Sequence, residues 1–522
     1  MKPFAIALLL SCSFSYSQDI LKPILEVENI GSKEALGSGV LGIGDINGDG
    51  WPDIAVSARD IWKTHIYFGG PVILDGIADV TIPGGAKIGK GDLNGDGIMD
   101  LVIAGNETLY VYLGKPGPGL RIDTIPSLIL TTGDSVFVTG SYTFGYSFAI
   151  GDINNDGFDD LVVGAEEYKT KGKTFVFMGK PQPTSNPDFT GIGDSTYGEY
   201  GRQIGIADIN GDGIKDLAIS FFRFLGSTRS SCGIDFFWGR SGWRFTKDGY
   251  SQRLTSAATK FFPLVDFTLT DYNFDGKADI SFSSDSSVYF FYGRSDSIRA
   301  NYDFRLVPRS SLDAFSSGAI EIGDVNNDGK DDFAFRGWPG GAAVCVHVFL
   351  GSTHLQTKSV ARLCRGFVST GAFDQISGVG DVNGDGVNDF ATGAPYDPLL
   401  GVDPQDGYFV IYSGQKYWVT QVKDEKAIPQ AAGLSQNYPN PFNPSTTIEY
   451  TLEKKGNVRL AIYDNIGREV SVLVHEEQYV GLHKAVWNGR DSDGKMLSTG
   501  SYFYRLALNG NVVETKKLLL IK

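Results

Sequence analysis

Seven copies of one acidic pattern, D-x-N-x-D-G-x-x-D, run through the first four fifths of this chain. They start at Asp45, Asp92, Asp152, Asp208, Asp271, Asp324 and Asp381. A pattern recurring every 47 to 63 residues is the mark of a repeat architecture, and repeats of this length belong to propeller blades or solenoid turns. Each repeat has the same order of parts. In the third, Phe144–Ile150 reads as a strand, the acidic loop Asp152–Asp160 follows, and Leu161–Ala165 and Thr174–Gly179 read as further strands. A last extended segment completes four strands per unit. Seven such units predict a seven-bladed β-propeller. The extra segment Ile24–Asn29 ahead of the first loop is expected to pair into the seventh blade and close the ring. Tyr417-Trp418-Val419-Thr420 competes for that place.

The loop itself points to calcium, a hard cation that takes six to eight oxygen ligands. Position 1 is Asp45, Asp92, Asp152, Asp208, Asp271, Asp324 and Asp381. Position 3 is Asn47, Asn94, Asn154, Asn210, Asn273, Asn326 and Asn383. Position 5 is Asp49, Asp96, Asp156, Asp212, Asp275, Asp328 and Asp385. Alternate side chains of a tight loop aim at one point. Position 7 offers a backbone carbonyl, so its side chain is free to vary: Trp51, Ile98, Phe158, Ile214, Lys277, Lys330 and Val387. Position 9 closes the cage with Asp53, Asp100, Asp160, Asp216, Asp279, Asp332 and Asp389.

Position 6 is glycine in every copy, and position 4 is glycine or asparagine except at Phe274, as left-handed backbone requires. The Asp271 loop is therefore expected to bind most weakly. An EF-hand is excluded, because it needs a bidentate Glu at position 12 between two helices. Position 12 here is Val56, Ile103, Val163, Ile219, Phe282, Phe335 and Thr392, all strand residues. The expected cofactor is Ca²⁺, up to seven ions in the affinity range of extracellular modules, roughly 10⁻⁴–10⁻³ M. Its expected role is to clamp the first strand of a blade to the second.

Charge agrees with this reading. The formal net charge is −15, and positions 1, 5 and 9 of the motifs hold 21 of the 61 acidic residues. Seven divalent cations would nearly neutralise the chain. The same acidity argues against nucleic acid as partner. Residues 1–17 read as a secretory signal peptide cleaved before Gln18, although Leu9-Leu10-Ser11-Cys12 also has the form of a lipoprotein signal. No later run has the length and apolarity of a transmembrane segment. Cys345 and Cys364 flank a turn near Gly351–His354, which would set them opposite each other as a disulfide.

Phe144-Gly145 before the third loop and Gly393-Ala394-Pro395 after the seventh resemble the FG-GAP repeats of integrin α heads. The resemblance implies a seven-bladed propeller with calcium in its blade loops, in residues 18–422. The flanking words depart from the family: Tyr200-Gly201 stands in the fourth repeat, Phe373-Asp374 in the seventh and Gly84-Gly85 in the second.

Residues 423–435 read as a linker, and 436–522 as a small Ig-like β-sandwich with strands at Thr447–Leu452, Val458–Tyr463, Val470–Val474, Lys484–Trp487, Tyr502–Leu508 and Val512–Ile521. This region resembles the type A C-terminal sorting domain of the bacterial type IX secretion system. The matching residues are Asn437–Pro444, Ile462-Tyr463-Asp464, Gly467-Arg468, Trp487-Asn488-Gly489, Gly500–Tyr504 and the basic end Lys516–Lys522. That implies recognition by the type IX machinery, and release from or attachment to the surface of a Gram-negative cell. Asp491-Ser492-Asp493-Gly494 reads as a turn rather than half a metal loop.

No P-loop, GxSxG or HExxH motif occurs, and histidine is scarce. The chain is expected to be all-β and to be a binding or adhesion module for an extracellular protein or glycan, not an enzyme. The alternative is a polysaccharide- or phosphoester-processing enzyme on the same scaffold. Trp62, Trp238, Trp243 and Trp338 are candidate ligand contacts, with packing between strands as the competing role.

Overall fold

A computed structural model describes residues 23–28, 34–70, 75–132, 144–166, 168, 171–193, 197–225, 228–246, 248–255, 267–284, 286–295, 297–308, 314–337, 343–353, 356–357, 359–366, 375–395, 407–415, 433–434, 437, 440–443, 445–452, 456–478, 481–492 and 494–521. The leader with Cys12, the segment 417–420, Trp338, Phe373-Asp374 and Asp493 lie outside these residues.

Strands dominate the described residues, and the chain divides into units at Met1–Trp418 and Val419–Lys522. The first unit holds seven antiparallel sheets. Blade 1 takes Leu36–Gly44, Asp53–Ala58, Lys63–Tyr67 and Val80–Pro83 in sequence order, and blades 2, 3, 5 and 6 repeat the scheme. Blade 4 adds the two-residue strand Tyr197–Gly198 and has five. Blade 7 is completed from the other end of the unit. Pro23–Glu28 pairs antiparallel with Tyr408–Tyr412 as its outermost strand, as expected for ring closure.

The first strands of successive blades touch one another, and the first strand of blade 7 touches that of blade 1. They therefore line the axis of a closed ring. That proximity demands glycine: a Cβ on Gly42 would sit 2.6 Å from Val379 Cα in blade 7. The second strands are buried on both faces because a neighbouring blade covers each side. Asp53–Ala58, Asp160–Ala165 and Asp389–Ala394 are buried at every position. This is why they read as continuous apolar runs rather than alternating ones. All seven position-12 residues lie in these buried second strands.

Antiparallel alternation fixes the faces of the ring. The acidic loops join first to second strands, so all seven emerge on one face together with the third-to-fourth connections. The second-to-third hairpins and the links between blades emerge on the opposite face.

The second unit is a two-sheet sandwich. One sheet orders Gly433–Leu434, Thr446–Leu452 and Gly481–Trp487; the other orders Glu469–Gln478, Gly456–Tyr463, Gly500–Leu508 and Asn511–Leu520. Six of the seven strands match the sequence expectation to within a few residues. The seventh corrects it: Gly433–Leu434 lies in the stretch read as linker, and Leu434 is buried in the sandwich core. Trp487 anchors that core between Phe442 and Tyr502, each with its ring centroid 5.5 Å away. Asp491 closes a turn by accepting the Lys495 N–H at 2.8 Å.

Cys345 and Cys364 stand directly opposite each other on paired strands of blade 6, and Cys345 is disulfide-bonded. Cys232 is buried in blade 4.

Candidate functional site: the seven acidic loops

The loops are built by backbone conformation first. Position 6 has φ between 77° and 95° in all seven. A Cβ added there would meet open space, so it is the left-handed backbone and not crowding that requires glycine. Position 4 is left-handed in all seven too, including Asn155, Asn327 and Phe274, whose φ is 58°. Phe274 therefore sits in a conformation that costs a bulky residue energy, and its ring packs against Phe333 at 6.2 Å.

The polar side chains then knit each loop. In the first, Asp45 Oδ1 accepts from Gly48 N at 2.6 Å and Asp45 Oδ2 from Gly50 N at 3.0 Å. Asn47 Oδ1 accepts from Asp49 N, Asp49 Oδ1 accepts from Trp51 N, and Asn47 Nδ2 donates to Asp49 Oδ2. Positions 1, 3 and 5 make equivalent backbone contacts in the other six loops. The bond from the position-4 N–H forms where that residue is glycine, at Gly48, Gly95, Gly211 and Gly384. In the seventh loop Ser413 Oγ also donates to Asp385 Oδ2 at 3.0 Å, adding a hydroxyl next to the carboxylates.

Position 9 is different in kind. Asp53, Asp100, Asp160, Asp216, Asp279, Asp332 and Asp389 are all 0 % exposed. One oxygen of each accepts the position-2 N–H of its own loop, at 2.8–3.1 Å. The other accepts from a glycine that follows the third strand: Gly69, Gly114, Gly179, Gly239, Gly293, Gly351 or Gly414, at 2.6–3.0 Å. That glycine went unrecognised in the sequence. It is needed for close approach: a Cβ on Gly179 would lie 2.4 Å from the Asp159 carbonyl oxygen. Its signal is a glycine right after the apolar third strand, as in Met178-Gly179 and Tyr292-Gly293.

Burial pushes these seven carboxyls up, to about 6 at Asp100 and Asp216, about 7 at Asp53, Asp160, Asp332 and Asp389, and about 8 at Asp279. The two backbone N–H bonds pull the other way. Repulsion from the position-5 carboxylate raises them further, joined in six loops by position 1. A cation among these groups would reverse that repulsion.

The donor set is oxygen only: three carboxylates, an amide carbonyl and the position-7 carbonyl. Its chemistry fits a calcium ion. Among the described residues, no group of three or more His, Cys, Asp or Glu side chains is gathered into a formed metal shell. The loop oxygens face backbone N–H groups, and each keeps a further lone pair for a cation. Lys277, at position 7 of the fifth loop, brings its ammonium to 3.9 Å from Asp275 Oδ1, a competing charge.

The aromatic candidates divide. Trp243 is buried against Phe237 and Phe245, so it is core and not a ligand contact. Trp238 stacks on Phe236 at 6.0 Å and packs on the core of blades 4 and 5. Trp62 is partly buried, with φ 52° at the second-to-third hairpin of blade 1.

Known proteins were compared with the chain. A model described as FG-GAP-like repeat matches residues 92–163, and one described as FG-GAP repeat matches 373–412. The FlgD Ig-like domain model matches residues 443–517. Human integrin alpha-7 is 32% identical over 199 residues, covering 36% of this chain and 12% of that protein. Integrin alpha-3 of Cricetulus griseus is 40% identical over 90 residues (15% and 8%), and integrin alpha-IIb of Mus musculus 35% over 89 (15% and 9%). The matched stretches thus span about a tenth of these relatives' own lengths. Residues 92–163 and 373–412 carry FG-GAP repeats, in a chain folded as a β-propeller.

Proposed function

We propose that this FG-GAP propeller is a calcium-stabilised binding module that works outside the cell. The observation that carries the reading is the division of labour between the two faces of the ring. On one face the acidic loops, which lie beside the third-to-fourth connections, are fixed at nine residues and self-clamped in every blade. On the other, the second-to-third connections vary from the short turn between Ser284 and Ser287 to the long one between Ala394 and Tyr408. Blade 4 raises ten-residue strands, Asp216–Leu225 and Thr228–Phe237, toward that face. Constant loops suit structure, and variable ones suit recognition.

Calcium in this reading neutralises the carboxylates at positions 1, 5 and 9 and holds first to second strand. The Asp271 loop binds weakest, since Phe274 is strained and Lys277 already lies beside Asp275. Calorimetric titration tests this ranking. Asp212→Ala should lower the number of calcium ions bound, and Asp275→Ala should leave it nearly unchanged; equal losses would contradict it.

The partner is an extracellular protein or glycan. Glycan-array binding with a protein pull-down control separates the two. Calcium-dependent turnover of a polysaccharide or phosphoester would instead establish the enzymatic alternative. The leader, the bonded Cys345 and the scarcity of cysteine support export to an oxidising compartment. The C-terminal sandwich acts as the type IX sorting domain, delivering the propeller to the medium or the surface of a Gram-negative cell. Deleting residues 433–522 should leave the propeller in the periplasm; undiminished secretion would overturn that assignment.

A further inference from the structure

The buried position-9 aspartates belong to more than their own loops. In blades 1, 3, 4 and 7 the residue after the clamp glycine reaches back to the preceding blade. Lys180 N–H donates to the Leu93 carbonyl at 3.0 Å, Arg240 N–H to Ile153 at 3.3 Å, Gln415 N–H to Val325 at 2.8 Å and Gly70 N–H to Val382 at 3.0 Å. Arg121 N–H serves the Ile46 carbonyl at 2.6 Å. All five acceptors are position-2 carbonyls, in the second, third, sixth, seventh and first loops respectively. The N–H of that same residue is held by the position-9 carboxylate of its own loop.

A chain of contacts follows. From Val325 in blade 6 it passes through Gln415 and Gly414 to Asp389, and on through Val382, Gly70 and Gly69 to Asp53 and Ile46 in blade 1. From Leu93 in blade 2 it passes through Lys180 and Gly179 to Asp160, then Ile153, Arg240 and Gly239 to Asp216 in blade 4. Arg121 joins the two runs. Side chains add contacts between loops: Asp159 Oδ2 accepts the Asp92 N–H at 2.9 Å, and a Cβ on Gly384 would meet the Trp51 ring at 2.7 Å.

We propose that these shared position-2 residues couple six of the loops, all but the fifth, so that calcium loading is positively cooperative along that run of blades. This rests on the calcium reading above. A cation held at the third loop would fix Asp160 more firmly on both Ile153 and Gly179. Lys180, next to Gly179, then holds the second loop at Leu93, and Ile153 presents an ordered carbonyl to Arg240 of blade 4. The neighbouring loops find part of their ordering already done, which is a coupling free energy between sites.

The test is a calcium titration of the full chain, followed by calorimetry and by intrinsic fluorescence. The wild type should show a Hill coefficient of roughly 2 or more. Lys180→Pro removes the N–H that reaches Leu93, and the preceding Gly179 tolerates a following proline because it has no Cβ. Its Hill coefficient should fall toward one with the number of ions bound unchanged. Lys180→Ala, which keeps the N–H and loses only the pairing with Asp188, should behave as wild type. Arg240→Pro repeats the test at the next interface should Lys180→Pro not fold. Saturable binding by the wild type with a Hill coefficient of one overturns the coupling. An unchanged Hill coefficient in both proline variants does so too. No saturable calcium binding by the wild type overturns the underlying loop reading instead.

Discussion

Asp160 and Asp156 lie four residues apart in one motif and do different work. Asp160 is fully buried and accepts from Ile153 and Gly179, while Asp156 is exposed and serves its own loop. Asp160→Asn puts an amide donor against one of two N–H donors, and an unmet buried group costs about 1–3 kcal/mol. Urea unfolding in EDTA should show that loss for Asp160→Asn and little change for Asp156→Asn. The motif's residues were legible because their spacing never varies. The clamp glycine was not, because it follows position 9 by 14 residues in blade 2 and by 25 in blade 7. Hairpin length changes that interval without changing the contact.

A second residue-scale prediction concerns Lys87, which bridges blades 2 and 3. Its ammonium donates to the Phe148 carbonyl at 2.8 Å and lies 5.0 Å from the centre of the Phe148 ring. Burial pushes its pKa down to about 8, against about 10.4 in an unfolded chain. Between those values the unfolded chain holds the proton and the folded one does not, so stability from this group rises with pH. The stability difference between wild type and Lys87→Met, from denaturant midpoints, should move toward wild type as pH goes from about 8 to about 10. A constant difference would contradict the assignment.

Among the elements, Pro23–Glu28 carries the closure. It is a short strand, partly exposed on its outer side, yet among the described residues it alone completes blade 7. Deleting residues 18–28 should expose the edge of Tyr408–Tyr412, lower the unfolding midpoint and produce oligomers by size exclusion. A monomer of unchanged midpoint would show that something else closes the ring. In blade 6 the disulfide-bonded Cys345 of the third strand stands opposite Cys364 of the outer strand in the register. Cys345→Ser should cost about 2–4 kcal/mol in chemical unfolding under oxidising conditions.

The strands themselves were largely readable. Second strands are mostly apolar beyond their first residue because two blades enclose them, and outer strands alternate because one edge meets solvent. Gly433–Leu434 was missed because two residues carry no periodicity and lie among polar neighbours, and only the buried Leu434 ties them to the sandwich. Trp243 was ambiguous for a related reason: a tryptophan in a glycine-rich connection reads the same whether it faces a ligand or the rings of Phe237 and Phe245.

At the scale of the whole molecule, the acid of the chain is concentrated where seven equivalent loops face one way. Burial raises the position-9 carboxyls, and the neighbouring carboxylates of the loop add to that. The ring is then held by backbone geometry and hydrogen bonds against a cost that a divalent cation would relieve. The most direct test is the calcium content of the purified full chain, measured after equilibrium dialysis at about 1 mM free Ca²⁺, above the lower end of the affinity range of extracellular modules. The account predicts several ions per chain, rising toward seven with concentration, and a matching loss of thermal stability in EDTA. One ion or none, with a melting temperature indifferent to EDTA, would contradict it.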